Sequence, residues 1–283
     1  MTWLYKKRFT LARHAVQLTL LGLFIGTARW GWSIAGEPLL SGTLSASKIA
    51  GTIALSDPLA LLERLVAGHL PTFTIGLGAF IVLVLYGLLG GRTFCGWVCP
   101  MNLVAEAAEA CRKRLSLKAD VVRVSQSVRY GLLAAALFLS AATGTAAFEV
   151  VSPQAWLWRD LIFGSGLGAL SVASALFALD LALMKHGWCG HLCPLGAFWA
   201  LVGRLTHSPA LQIRFENQAC DRCGECLHVC PEPRVIHFVD LKAKGRIPAG
   251  ECLNCGRCIE TCPKGALRFH FGPGVNALPP EKK

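Results

Sequence analysis

The chain has 283 residues, of which 53% are hydrophobic and only 16% charged, with a formal net charge of +11. Soluble domains hold roughly 25% charged residues, so a mean hydropathy of +0.48 excludes an ordinary water-soluble enzyme and makes lipid part of the solvent. The thirteen cysteines are odd in number, which excludes a framework in which every thiol is paired.

In chain order, a basic start (Lys6, Lys7, Arg8, Arg13) leads into the apolar run Ala15–Ala28. No small-residue cleavage site follows at Ala28-Arg29-Trp30, so a retained helix over 12–32 is expected and not a secretory signal. Three further stretches are nearly free of charge: Leu70–Gly91, Gly131–Phe148, and Leu161–Met184, which holds only Asp180. A hydrocarbon core about 30 Å thick needs about 20 apolar residues, and spanning helices are predicted over 70–91, 130–150 and 161–184. Between them, the 92–129 loop carries Arg92, Arg112, Lys113, Arg114, Lys118, Arg123 and Arg129, whereas the opposite side offers Lys48, Arg64 and Arg159, plus Arg29 at a helix end. Basic residues mark cytoplasmic loops, so both termini and the 92–129 loop are expected inside. The basic residues flank spans and form no separate basic domain, so no nucleic-acid partner is expected.

Each predicted hairpin ends in one motif. FCGWVCP occupies 94–100 and WCGHLCP occupies 188–194, so Phe94/Trp188, Gly96/Gly190 and Pro100/Pro194 correspond and the two halves read as a tandem duplication. Two such hairpins would be related by an axis along the membrane normal, which brings both motifs to one face. Proline suits the first turn of a helix, and amphipathic segments are predicted over Met101–Leu117 and Leu195–Leu205. Cys99 and Cys193 would then sit at helix starts, where thiolate is favoured. Cys95, Cys99, Cys189 and Cys193 are therefore candidates for a joint metal or redox site. Separate thiol switches and plain buried thiols are the other readings. His191 reads as a packing residue, because Trp97 holds its place in the first motif, and Cys111 as a plain helix residue.

The C-terminal part is denser still. CDRCGECLHVCP (220–231) and CLNCGRCIETCP (252–263) are two Cys-x2-Cys-x2-Cys-x3-Cys-Pro runs. Cytoplasmic thiols stay reduced, and in this pattern three cysteines wrap one [4Fe–4S] cube while the fourth ligates the other. Two [4Fe–4S] clusters are expected, one on Cys220, Cys223, Cys226 and Cys262, the other on Cys252, Cys255, Cys258 and Cys230. Zinc sites use similar spacings, but the doubled register with both prolines favours the cubes. His228 and His237 read as surface or packing residues. The fold expected is a polytopic α-helical membrane protein, four transmembrane helices in two tandem hairpins, with a C-terminal α+β two-cluster ferredoxin-like domain. Its parts are a membrane domain over 1–206, a cytoplasmic ferredoxin-type domain over 207–272 and a tail over 273–283. A polar linker is placed around Thr206–Gln218, strands at Arg214–Phe215 and Leu267–Phe271, and a loop at Lys242–Gly250.

HGWCGHLCPLGAFW, CDRCGECLHVCPEP, CLNCGRCIETCP, FCGWVCPMN and the outer stretch LSDPLALLERLVAGHLP together resemble the NapH family of ferredoxin-type membrane proteins, whose close sibling is MauN of methylamine utilisation. The likeness runs from about Arg13 to Arg268. It implies a quinol dehydrogenase component in the bacterial inner membrane, taking electrons from the quinol pool towards a periplasmic redox enzyme of the nitrate reductase or methylamine dehydrogenase type. A periplasmic multi-cluster iron–sulfur protein is the implied partner. An iron–sulfur sensor or maturation factor for another metalloenzyme is the alternative. Quinol oxidation needs a proton acceptor beside an apolar slot. Asp180 is the weak candidate within a span, with Asp57, His69, Glu149 and Asp160 as alternatives at the outer boundary. The Glu37–Gly68 loop is long enough to dock a partner.

Overall fold

The computed structural model describes residues 7–34, 36–117, 120–122, 124–206 and 210–272. The expected tail over 273–283 lies outside them, as do Lys118 and Arg123. The chain folds as two compact units. Met1–Val16, Leu85–Val98 and Trp199–Lys283 contribute to the first, so far as they are described, and Gln17–Val84 with Cys99–Phe198 to the second. The first unit thus joins the cysteine-rich region to two earlier segments.

All four predicted apolar segments are helical. Helix α1 (Arg8–Trp30) has 23 residues and is long and apolar enough to cross a membrane. The others are shorter: α3 (Phe73–Leu88), α6 (Val128–Thr143) and α9 (Leu167–Ala182), each of 16 residues. Glycine explains the difference. Gly144 takes a left-handed conformation (φ 68°) and ends α6, so the span expected over 130–150 is broken, and a separate short helix follows at Ala147–Val151 (α7). The span expected over 161–184 is likewise divided. Helix α8 (Pro153–Phe163) stops at Gly164, and α9 starts after Gly166, whose φ is 86°. The Asp160 carboxylate accepts the Ala169 N–H at 2.8 Å across that break.

In the second unit, the stretch read as an outer loop is structured. Strands β3 (Leu40–Thr43), β4 (Ala46–Ile49) and β5 (Ile53–Ser56) form an antiparallel sheet after the small pair β1 (Ser33–Ile34) and β2 (Glu37–Pro38). Asp57 then caps α2 (Pro58–Val66) by accepting the Leu59 N–H at 3.0 Å. Glu63 on α2 is fully buried and accepts from Ser140 Oγ at 3.1 Å and from the Phe148 N–H at 2.8 Å, tying α2 to α6 and α7.

The first unit is the α+β part. Strand β6 (Leu211–Phe215) pairs antiparallel with β7 (Leu267–Phe271), Ile213 opposite Phe269. A five-residue strand therefore occupies the middle of the region expected to be a polar linker at Thr206–Gln218. Leu211, Ile213 and Phe215 alternate along it and are buried, with Gln212 buried between them, and the period-two spacing of the apolar residues suits a strand. Between β6 and β7 lie α11 (Glu225–Val229), α12 (Phe238–Lys244) and α13 (Arg257–Thr261). Helix α12 takes the first part of the loop expected at Lys242–Gly250, ending at left-handed Gly245. Ile213, Phe215, Ile236, Leu241, Ile247 and Leu267 form the core.

Candidate functional site

The eight C-terminal cysteines fall into two groups of four. Cys220, Cys223, Cys226 and Cys262 line one cavity, walled by Phe215, Leu241 and Leu267. Cys230, Cys252, Cys255 and Cys258 line another, walled by Ile213, Ile236 and Ile247. Each run thus sends its fourth cysteine to the cavity of the other. Burial pushes the Cys226 thiol up, and Cys220, Cys223 and Cys262 push it further. Cys252 is pushed up to about 12 by burial and by Cys255. Four sulfurs drawn into an apolar pocket cannot all ionise unless a cation joins them, so the donor set fits a metal–sulfur core. Among the described residues, no three His, Cys, Asp or Glu side chains are close enough to hold a single ion. A single tetrahedral ion with metal–sulfur bonds of about 2.3 Å needs closer thiols than a cube with one thiolate at each iron corner.

Backbone conformation makes the loops. In the first run Arg222 (φ 60°) and Gly224 (φ 80°) are left-handed, and in the second Asn254 (φ 49°) and Gly256 (φ 75°) take the same places. The paired reversals curl each Cys-x2-Cys-x2-Cys stretch around its cavity and turn backbone N–H groups towards sulfur. The Arg222 N–H lies 3.4 Å from Cys220 Sγ, and the Ala266 N–H 3.3 Å from Cys262 Sγ. Such bonds tune cluster potentials. The two glycines were legible from sequence; the left-handed arginine was not.

The two cavities differ in cover. Cys223 is exposed, whereas its counterpart Cys255 is buried. Segments remote in sequence bury the second run. Trp97 Nε1 donates to Asn254 O at 2.9 Å, Asn254 Nδ2 donates to Leu89 O at 2.9 Å, and Thr10 Oγ1 donates to Glu260 at 2.6 Å. Phe9 lies over Gly256, and a Cβ on Gly256 would meet its ring carbon at 2.8 Å. Arg92, 1% exposed, pairs with Glu232, two residues after Cys230, at 2.7 Å and with Glu251, directly before Cys252, at 3.2 Å. Cys95 is within electrostatic reach of Arg92. Helix α4 (Thr93–Trp97), the first half of the FCGWVCP motif, therefore rests on the loop that carries Cys252 and Cys255.

Cys95 belongs to the first unit; Cys99, Cys189 and Cys193 belong to the second. Residues Gly187–Leu192 form a single π-helical turn, with Cys193 N–H bonded to Trp188 O at 2.9 Å, a geometry frequent at functional sites. As expected, helices follow both prolines: α5 (Met101–Arg114) and α10 (Pro194–Leu205). Asp180 is 3% exposed, and its Oδ1 accepts the Trp188 N–H at 3.3 Å, with the Gly187 N–H as a second donor. Its carboxylate is thus engaged by the cysteine-bearing turn. Arg112 donates to the carbonyls of Asp180 and Leu181, and Glu109 receives His186 and Lys185 beside them.

The outer candidates also serve local structure. Asp57 caps α2, Asp160 caps α9, Glu149 pairs with Arg159 at 3.7 Å, and the His69 ring meets Gly144 O at 3.0 Å. His228 and His237 are exposed, and Cys111 lies on α5. Sequence reasoning missed Arg13, Arg92 and Arg129. It counted all three as basic markers of a cytoplasmic face, yet each is at most 1% exposed. The signal available was positional: Arg13 and Arg129 both open the first helix of a predicted hairpin.

One family model, described as a 4Fe–4S binding domain, matches twice, at residues 72–118 and 165–210, once on each helix-plus-motif segment. A second, a 4Fe–4S dicluster domain, matches residues 212–263. The ferredoxin-type protein NapH of Escherichia coli is 37% identical over 254 residues, which cover 89% of this chain and 85% of that protein. The methylamine utilization ferredoxin-type protein MauN of Methylorubrum extorquens is 40% identical, covering 79% and 75%. MauN of Paracoccus denitrificans is 38% identical, covering 88% and 86%. No solved structure matches. The chain belongs to the ferredoxin-type NapH/MauN family and carries 4Fe–4S binding domains.

Proposed function

We propose that this protein takes electrons from the membrane quinol pool and delivers them towards a periplasmic redox enzyme, through a periplasmic multi-cluster iron–sulfur partner. The observation that carries the iron–sulfur part is the pair of four-cysteine cavities, each completed by the fourth cysteine of the other run. Cys220, Cys223, Cys226 and Cys262 hold one cluster, and Cys230, Cys252, Cys255 and Cys258 the other. Bound there, a [4Fe–4S] cluster supplies reversible one-electron transfer.

The chain's own residues do the rest. Phe215, Leu241, Ile236 and Ile247 line the two cavities and limit water around the sulfurs, with Cys223 left exposed. The Arg222 and Ala266 N–H groups favour negative charge on Cys220 and Cys262. Arg92 offsets charge in the second cavity and fixes Glu232. Cys95 in the first unit, and Cys99, Cys189 and Cys193 in the second, are the further redox or metal-binding thiols, and Asp180 holds the turn that carries Cys189. Helices α1, α3, α6 and α9 cross the inner membrane with both termini in the cytoplasm. The three shorter ones, at 16 residues and a 1.5 Å rise per residue, reach about 24 Å, which flanking residues or local thinning extend to the bilayer.

Anaerobic iron analysis with EPR under quinol titration tests the proposal. About eight irons per chain from the ferredoxin part, as two cubes, and signals that develop with added quinol are expected. Substantially less iron in fully reconstituted protein, or signals reached by dithionite but never by quinol, would refute it.

A further inference from the structure

The duplication of the two Cys-x3-Cys-Pro motifs extends to a residue far from either in sequence. Gly96 and Gly190 are equivalent, each directly following the first cysteine of its motif. Arg13 Nη1 donates to Gly96 O at 3.4 Å, within the first unit. Arg129 Nη1 donates to Gly190 O at 2.9 Å, within the second. Both arginines have no exposed surface, and each lies within the first two turns of the first helix of its own half, Arg13 in α1 and Arg129 in α6.

Burying a guanidinium is expensive, several kcal/mol even after relaxation. A tether for one glycine carbonyl does not require it, since a neutral donor would serve. A fixed positive charge beside a thiol pair is what a turn needs when its sulfurs work as anions, bound to metal or carrying an electron. The same arrangement appears in both halves on separate helices, and the 4Fe–4S binding model matches the motif-bearing segment of each half, at residues 72–118 and 165–210. From this we infer that Arg13 and Arg129 are a duplicated pair of positioning residues. Each clamps the cysteine turn of its own repeat through the glycine carbonyl and supplies the positive charge against which that turn's sulfur operates. This rests on the reading of Cys95 and Cys189 as functional thiols.

The test uses the full chain, purified anaerobically in detergent, as R13Q, R129Q, R13K and R129K. Iodoacetamide labelling of Cys95 and Cys189 is followed by peptide mass spectrometry, with iron content as the control. Metal bound at these thiols shields them from alkylation, and loss of a supporting partner costs roughly 10- to 100-fold in metal affinity, so labelling should quicken by that order at Cys189 in R129Q and at Cys95 in R13Q. The other repeat should stay at the wild-type rate. Lysine, which keeps charge and donor, should restore slow labelling. Unchanged rates in the glutamine variants, acceleration of both repeats together, or lysine variants as fast as glutamine ones each overturn the inference. If a glutamine variant loses its C-terminal iron, the lysine variants decide alone: slow labelling with iron retained supports the clamp, fast labelling overturns it. A separate arm isolates the underlying reading. If C95S and C189S still allow quinol to reduce the C-terminal clusters, the electron-path reading falls while the labelling result stands.

Discussion

Arg92 gives the sharpest test of how the first motif supports the second cluster cavity. Arg92→Gln removes a guanidinium 2.7 Å from Glu232 and 3.2 Å from Glu251, in a pair whose members are 1% and 2% exposed. Glu251 keeps Arg204 at 2.6 Å, so the loss falls mainly on Glu232. Breaking a buried pair from one side costs roughly 3–5 kcal/mol, because a carboxylate is left behind without its cation. At about 2–4 °C per kcal/mol for a large domain, the melting temperature should fall by about 6–20 °C. Arg92→Gln combined with Glu232→Gln removes both charges and should regain most of it, a coupling of roughly 2–3 kcal/mol. Arg204→Gln is the control: Arg204 is half exposed, and such pairs are worth under about 1 kcal/mol. Thermal unfolding of the anaerobic full-length protein, followed by circular dichroism and by bleaching of the cluster absorption, reads all three. An Arg92→Gln loss no larger than that of Arg204→Gln, or additive single variants, would show that the buried pair does not hold Glu232 as argued.

Other outcomes follow from the same geometry. Cys223 is exposed while Cys255 is buried, so a water-soluble paramagnetic relaxant should broaden the EPR signal of one cluster and spare the other; equal broadening contradicts the asymmetry of cover. Replacing Cys95 and Cys189 with serine should leave both C-terminal cubes intact and stop their reduction by quinol, and loss of the cube spectra would mean the sites are not separate. Burial raises the Asp57 carboxyl from its ordinary 3.8 to about 7. The folded state therefore holds its proton more tightly, and the stability this contributes is present below about pH 4 and lost as pH rises towards about 7. Asp57→Asn keeps a capping oxygen and should flatten the melting temperature across that window; an unchanged slope would place the titration elsewhere.

The eight C-terminal cysteines could be grouped from spacing alone, because a Cys-x2-Cys-x2-Cys turn is too short to do anything but wrap one centre. The four apolar segments were legible for a similarly local reason, an absence of charge over a length that lipid demands. Their ends were not, since left-handed Gly144 and Gly166 interrupt runs that remain apolar on both sides. The strand at Leu211–Phe215 was nearly hidden, because β6 is short and exists through its pairing with β7, over fifty residues later.

Charge misled most. Arg13, Arg92 and Arg129 read as cytoplasmic surface, and as a statistical sign of orientation that reading needs no knowledge of where a side chain goes. Whether a guanidinium faces water or a glycine carbonyl depends on which helix lies beside which turn, and Gly96 comes 83 positions after Arg13 and Gly190 61 positions after Arg129. Which cysteines cluster in each run is a matter of spacing within a dozen residues and is written in the chain. The charges and covers that set what those ligands can do come from segments far apart in sequence, and tertiary packing alone brings them together.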